Sequence, residues 1–335
     1  MIHAEQLFNR LILVGGPPRS GTSLAARLLN THPCIITAID DHVYECWGLY
    51  YYGTREGLIG DLRESSNLDR GAVRLLVAHL VEDGHLKGAA PSKKSRGLPV
   101  SPPPIRPDGE SIPMDGKVIR HPFPLERFEE SWYLCLKSPE ISFALNPLSE
   151  LFPAAKFVML YRPILEIAES MYRMGHTVEK VAVYHQRWRN ERDAQGNLIP
   201  PPGVPYEWSN LWSLSSDFQR CCLYALSYLG AVATGCASLP PDRYFLYNHT
   251  KMRRKPDIVL NDLAHFLEVD PLGFDTASEE VSPLSPSVPS RLKDEWSELR
   301  QKVAAAGTLG EPAGILTRLE QLEDAQMPGR GSPEE

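Results

Sequence analysis

The chain has 335 residues, of which 42% are hydrophobic and 23% charged, with a formal net charge of −7; this is the composition of a globular protein that can bury a sizeable core. Because the net charge is negative, the sequence predicts no binding to nucleic acid or to an anionic membrane surface. The first residues lack the pattern of a signal peptide, and no later apolar run is expected to reach membrane-spanning length, so we expect a soluble, cytoplasmic protein without a membrane partner.

Short apolar runs predict the strands of a sheet, which are in chain order Leu11–Val14, Cys34–Ile39, Trp132–Leu136, Lys156–Tyr161 and Tyr244–Tyr247. Apolar residues three and four positions apart predict helices, which are Ser20–Leu29, Ile164–Arg173 and Pro256–Leu267. Runs that are apolar on both faces are typical of inner parallel strands covered by helices. The alternation of strand and helix therefore predicts an α/β fold with a doubly wound parallel sheet flanked by helices.

Two long proline-rich insertions interrupt this alternation, at residues 84–124 and 190–213. Both exceed the length of ordinary connections, and each is interpreted either as a lid or acceptor-binding loop or as irregular cover on the domain. The second insertion carries Tyr206, Trp208 and Trp212. We assign these aromatic residues to the substrate as a hypothesis, with packing as the alternative.

The predicted α/β domain covers residues 1–276 and includes both insertions. Beyond it the chain is rich in serine and proline, becomes helical through SRLKDEWSELRQKVAAA, and finishes in the acidic stretch GRGSPEE. Residues 277–335 are therefore predicted to form a helical extension with a partly disordered acidic tail.

The turn after the first predicted strand, in LILVGGPPRSGTSL, has the composition of an anion-binding loop. Backbone N–H groups and the positive end of the following helix dipole bind anionic oxygens at such turns. Gly16 and Gly21 keep the spacing of the nucleotide-triphosphatase loop, but Thr22 stands where that loop has its lysine. The positive charge is instead at Arg19, whose planar guanidinium can grip a tetrahedral anion from the side. We therefore expect a phosphate-like ligand other than a nucleoside triphosphate.

A second cluster of phosphate-binding residues follows the Lys156–Tyr161 strand. A magnesium-dependent phosphotransferase of this architecture commonly has an acidic residue there, whereas this chain has Arg162, with Ser170 eight positions later. These two residues predict a second anion clamp rather than a metal site. Two separated clamps predict a ligand with anionic groups at two places.

These residues resemble the sulfotransferases that use 3′-phosphoadenosine 5′-phosphosulfate (PAPS). GPPRSGTSL followed by LLNTHP is similar to the family's 5′-phosphosulfate loop and helix, and YRPILEIAES to its 3′-phosphate element. LKSPEISFALNPLSELFPAAKFVML is similar to the lysine-containing strand that precedes that element. DRYFLYNHTKMRRKPDIVLNDLAHFLEVD resembles the late segment but departs from its Tyr-Glu-Asp-Leu pattern after Tyr247. The resemblance covers roughly residues 10–270 and implies a P-loop-like version of the predicted sheet.

The resemblance also implies roles for individual residues. Those implied to bind the cofactor are Pro18, Arg19, Ser20, Gly21, Thr22 and Ser23 around the 5′-phosphosulfate, Arg162 and Ser170 on the 3′-phosphate, and Tyr247. Lys137 is implied to lie near the bridging oxygen, so that it acts with Arg19 on the charge of the leaving group. The implied donor is PAPS, its product is 3′-phosphoadenosine 5′-phosphate (PAP), and no metal is expected.

The residue that would deprotonate the acceptor hydroxyl is left open among three candidates. The cytosolic small-molecule branch of the family has a histidine two positions after the lysine, where this chain has Pro139. The protein-tyrosine branch has a glutamate whose position matches Asp40 here. We rank Asp40 first, His42 second and Glu140 third, with helix capping as the alternative role of the acidic cluster around Asp40.

The sequence thus favours a metal-free sulfuryl transfer from PAPS to a hydroxyl of a small molecule, glycan or peptide, and leaves the oligomeric state open. A nucleotide kinase or other P-loop phosphotransferase is the first alternative, and it would require ATP and magnesium. A catalytically inactive protein that binds PAP is the second.

Overall fold

The structure is a computed structural model that describes residues 9–39, 133–175, 192, 196, 198–201, 203–274, 288–306 and 312–325. The first insertion and the acidic tail lie outside the described residues. So do two of the three candidate bases, Asp40 and His42.

Five parallel strands form one sheet, and they are β1 (Leu11–Gly15), β2 (Ile35–Ile39), β3 (Tyr133–Lys137), β4 (Lys156–Tyr161) and β5 (Tyr244–Asn248). Their order in the sheet is β2-β3-β1-β4-β5. After β1 the chain adds β2 and β3 on one side of β1, and then β4 and β5 on its other side. The strand order therefore reverses between β1 and β4. In open α/β sheets, ligands bind at the carboxyl edge where this reversal occurs.

The helices of the described residues connect and cover these strands. They are α1 (Thr22–Thr31), α2 (Leu145–Leu151), α3 (Ile164–Arg173), α4 (Ser209–Ser213), α5 (Asp217–Ser238), α6 (His249–Arg254), α7 (Pro256–Leu267), α8 (Ser290–Ala306) and α9 (Pro312–Ala325). Short 3₁₀ helices lie at Pro139–Phe143, Tyr206–Trp208, Pro241–Arg243 and Pro271–Gly273.

Both faces of the sheet are buried, as expected from strands that are apolar on both faces. Leu11 and Leu13 of β1 pack in one core with α3 and α5, whereas Ile12 and Val14 pack in the opposite core with α1 and α7. The predicted doubly wound parallel sheet with helices on both faces is confirmed.

The first helix begins two residues later than the sequence predicts. Gly21 has φ 97°, a left-handed conformation that a helix cannot contain, so Ser20 and Gly21 remain in the turn and α1 starts at Thr22. The predicted bounds of α3 and α7 agree with the structure.

Helix α5 is the longest helix described and was not among the predicted elements. Ser216 caps it through a reciprocal capping box with Gln219. By length and composition this helix could cross a membrane, contrary to the expectation that no apolar run reaches that length. In this fold 67% of its most apolar window is buried, as in the core helix of a globular domain.

The two C-terminal helices pack into the same core as the sheet. Leu299 of α8 and Leu319 of α9 are fully buried there. On α9, Glu323 accepts a hydrogen bond from the Tyr161 hydroxyl at the end of β4, and its other carboxylate oxygen lies 3.1 Å from Nζ of Lys251 on α6. The helical extension therefore touches the carboxyl edge of the sheet.

Candidate functional site

The β1–α1 turn folds as a narrow loop that only certain residues can form. Gly16 has φ 134°, and a Cβ atom at this position would lie 2.6 Å from the carbonyl oxygen of Leu160 on β4. The Gly16 N–H donates to Ser142 Oγ at 2.9 Å, and the Ser20 N–H donates to the Pro17 carbonyl at 3.1 Å. Gly16 is therefore required by the close approach of the turn to β4.

Arg19 adopts a left-handed backbone conformation in this turn, with φ 70°. Such a conformation costs a non-glycine residue on the order of 1 kcal/mol and is found mainly where function requires it. Its Nε donates to Ser170 Oγ on α3 at 3.2 Å. The strained backbone thus accompanies a side chain that reaches from the turn to the second predicted clamp.

Arg162 joins the two clamps from the end of β4. Its side chain is buried; Nε donates to Glu166 Oε2 at 2.7 Å, and a terminal nitrogen lies 3.4 Å from the carbonyl oxygen of Arg19. The sequence predicted two separated clamps, whereas in the structure Arg19 bridges them directly. Arg19, Arg162 and Ser170 form one continuous group at the point where the strand order reverses.

Positive charge accumulates around this group. Partial burial, followed by the nearby Arg162 and Arg173, lowers the pKa of the Arg19 guanidinium. Burial and Arg162 likewise lower the pKa of Arg253 on α6, and Glu166 partly offsets the effect. Cations that repel each other at a partly buried edge favour the binding of an anion between them.

The turn also carries hydroxyl groups that can form hydrogen bonds with a bound anion. Ser20 is fully buried, and its Oγ has no hydrogen-bond partner among the described residues. An unpaired buried polar atom costs about 1–3 kcal/mol, which a ligand oxygen could recover. Thr22 is buried at the first turn of α1, Ser23 is exposed there, and Pro18 is partly exposed beside Arg19.

His249 belongs to the site but was missing from the predicted residues. It is the first residue of α6, and the Cδ2–Nε2 edge of its ring lies against Gly21. Burial, then Arg162 and Arg253, lower the pKa of His249 to about 4. The sequence signal was the departure from the family pattern in YNHTKMRRK, where His249 and Arg253 both occur.

Tyr247, which the resemblance implied as a cofactor residue, lies in the core between the sheet, α1 and α7. Its hydroxyl is buried and finds no hydrogen-bond partner in the part of the chain that the structure describes, and burial raises its pKa above the usual range. Its contact with a cofactor remains a prediction.

Lys137 and Glu140 stand at the end of β3. Lys137 is only 2% exposed and lies in register with Val14 of β1 and Ile39 of β2. Glu140 is buried, and its two carboxylate oxygens accept hydrogen bonds from Ser138 Oγ at 2.5 Å and from the Tyr228 hydroxyl at 3.0 Å. These bonds fix the position of the carboxylate, as suits either a general base or a carboxylate that ties β3 to α5.

The three aromatic residues of the second insertion occupy different environments. Trp208 and Trp212 are buried in the core beside α5, whereas Tyr206 is 57% exposed. Packing was the alternative role for this group, and it accounts for the two tryptophans. Contact of any of the three with a substrate remains a prediction.

Comparisons with known proteins give one kind of match. No protein-family model and no curated protein sequence matches the chain. Solved structures similar to the chain are sulfotransferases. One is from Alicyclobacillus acidocaldarius, at 15% identity and a TM-score of 0.44, covering 93% of this chain and 95% of that chain. Another is a sulfotransferase domain from the curacin biosynthetic pathway, at 16% identity and a TM-score of 0.44, covering 93% and 96%. A third is the sulfotransferase domain of the Synechococcus PCC 7002 olefin synthase, at 18% identity and a TM-score of 0.41, covering 94% and 93%. These are remote similarities, and the function proposed below is argued from the site residues.

Proposed function

We propose that the chain is a sulfotransferase that transfers the sulfuryl group of PAPS to a hydroxyl of a small molecule, glycan or peptide in the cytoplasm. The observation that carries the proposal is the convergence of Arg19, Arg162 and Ser170 on a glycine turn whose lysine position is occupied by Thr22. The mutual repulsion of these cations favours an anionic ligand between them.

The described residues fit a bisphosphorylated ligand. The turn supplies backbone N–H groups and the Ser20 hydroxyl, and the arginines supply charge-assisted hydrogen bonds. When bound, PAPS supplies a sulfuryl group on a phosphate leaving group. Arg19 and the turn would hold the 5′ end, and Arg162 with Ser170 the 3′-phosphate.

The chain's own catalytic work is to position the donor and to stabilise charge on the leaving oxygen. Lys137, at the carboxyl end of β3, is proposed to give this stabilisation together with Arg19. The base that receives the acceptor proton is proposed to be Asp40, with His42 and Glu140 as the other candidates. Glu140 is held by two hydroxyl donors, so its replacement by glutamine tests its role without changing its size.

A phosphotransferase is the competing function, and the two make different demands. It would need magnesium ligands at the end of β4, where the chain has Arg162 in contact with the turn. Thermal unfolding with PAP, with ATP and magnesium, and with AMP separates the two functions. A ligand at a hundred times its dissociation constant adds about 2.7 kcal/mol to the free energy of unfolding, so PAP alone should raise Tm by several degrees. Stabilisation by ATP with magnesium in place of PAP would favour the phosphotransferase.

The replacement Arg162→Met should weaken PAP binding about ten- to hundredfold, because one charge-assisted hydrogen bond contributes roughly 1.5–3 kcal/mol. Isothermal titration calorimetry measures the loss directly. Arg291→Met is the matched control, since Arg291 forms an exposed ion pair with Glu295 on α8, away from the turn. Equal PAP affinity in both variants would remove Arg162 from the site.

A further inference from the structure

His249 lies against Gly21, the residue before Thr22, which occupies the lysine position of the nucleotide-triphosphatase loop. A Cβ atom on Gly21 would lie 2.3 Å from Cδ2 and 3.0 Å from Nε2 of the imidazole, so this edge of the ring covers the last residue of the turn, next to Thr22. The residue is 8% exposed, and Nδ1 on the other side of the ring is buried with no hydrogen bond to any described residue. A protonatable nitrogen therefore lies beside the turn, reaching it from β5 and α6.

Two cations lie near the ring. They are Arg162 at the end of β4, which pairs with Glu166, and Arg253 on α6. Burial and the two arginines Arg162 and Arg253 hold the pKa of His249 at about 4. In the absence of an anion the imidazole is therefore neutral at physiological pH.

An anion bound between these arginines favours the charged form of His249 over the neutral form. Its charge opposes the repulsion that disfavours the imidazolium, so the charged form of His249 becomes less costly. By linkage, the protonated ring must then increase the affinity for the anion by the same factor.

We infer that His249 is a further anion-binding residue of this site, and that it takes up a proton when a phosphate or sulfate group binds at the β1–α1 turn. The identity of the natural ligand in this inference rests on the proposed function. The position of the ring beside the turn and the arginines near it do not depend on that function. His249 thereby supplies from another element the charge that the loop lysine supplies in nucleoside triphosphatases.

Calorimetry in two buffers with different ionisation enthalpies tests the inference. Inorganic sulfate is the first probe, because its charge stays constant between about pH 5.5 and 8 and every proton taken up must therefore come to the protein. The wild-type chain should take up close to one proton per anion as the pH falls to about 5.5, and almost none at about pH 8. Its affinity for sulfate should be about tenfold higher at about pH 5.5 than at about pH 8. Absence of proton uptake by the wild type overturns the inference without any variant.

The variant His249→Gln keeps an amide donor but cannot titrate. It should bind sulfate with an affinity that is nearly independent of pH over this interval, and its proton uptake with PAP should fall below that of the wild type by up to about one proton. His265→Gln is the matched control, because His265 is an exposed histidine on α7. Equal uptake in the wild type and His249→Gln overturns the inference.

The same measurements separate this inference from the proposed function. If sulfate binds with proton uptake that depends on His249 but PAP does not bind, the inference stands and the donor assignment falls. If PAP binds with no contribution from His249, the donor assignment stands and the inference falls. If neither anion binds, both fall.

Discussion

Replacement of Lys137 by methionine is expected to lower the turnover number for sulfuryl transfer by about 10²–10³-fold, the effect of removing one donor that stabilises developing charge. Lys137 is buried at the end of β3, in register with Val14, the penultimate residue of the strand that leads into the turn. Methionine retains the length of the apolar stem and removes the ammonium. Transfer from labelled PAPS under single-turnover conditions gives the rate, and calorimetry with PAP gives the affinity.

The control for this experiment is Lys156→Met. Lys156 also lies on a strand, but at the opposite edge of the sheet, where its ammonium pairs with Glu268 at 3.4 Å. This variant should retain the wild-type rate. If Lys137→Met loses stability but keeps its rate per folded molecule, Lys137 is a structural lysine and the leaving-group role is wrong.

The second large effect is expected from Gly21→Ala, which should lower the free energy of unfolding by about 2–5 kcal/mol. The left-handed backbone at φ 97° contributes on the order of 1–2 kcal/mol of strain, and the clash of the new methyl group with the His249 ring contributes about 1–3 kcal/mol. Denaturant unfolding measures the sum. The affinity for PAP should fall as well, because the methyl group occupies the contact between the turn and α6.

Two further variants separate the components of that loss. Gly196 has φ 83°, and no described atom lies within 4 Å of the place that a new methyl group would take, so Gly196→Ala reports backbone strain alone. The double variant Gly21→Ala with His249→Ala removes the clash and should be more stable than the sum of the single losses predicts, by more than about 0.5 kcal/mol. Additive losses would show that the ring does not press on the turn.

The sheet was predictable because its strands carry a strong local signal. Leu11 to Val14 and Lys156 to Tyr161 are apolar on both faces, and only an inner strand of a covered sheet buries both. Arg19 and Arg162 were predictable for a similar reason, since each closely follows such a strand and so must lie at the carboxyl edge.

What the sequence did not predict depends on contacts between distant segments. Helix α5 is apolar around most of its circumference, so it lacks the one-sided periodicity that marked α3 and α7. Aromatic residues of a proline-rich insertion give no sign of whether they face a ligand or a core, and Trp208 lies in the core. His249 has no local signal for its contacts, because its neighbours Gly21 and Arg162 come from two other loops.

The bond between α9 and the sheet has a consequence for the order in which the site matures during synthesis. Glu323 holds Tyr161, the residue before Arg162, and also Lys251, two residues after His249. The strands and the turn are translated long before this carboxylate, since domains emerge from the ribosome beginning at the N-terminus. A nascent chain that has not yet reached α9 can therefore pair β4 with β1 and with β5, but the contacts of Glu323 with Tyr161 and with Lys251 form only after this carboxylate has emerged.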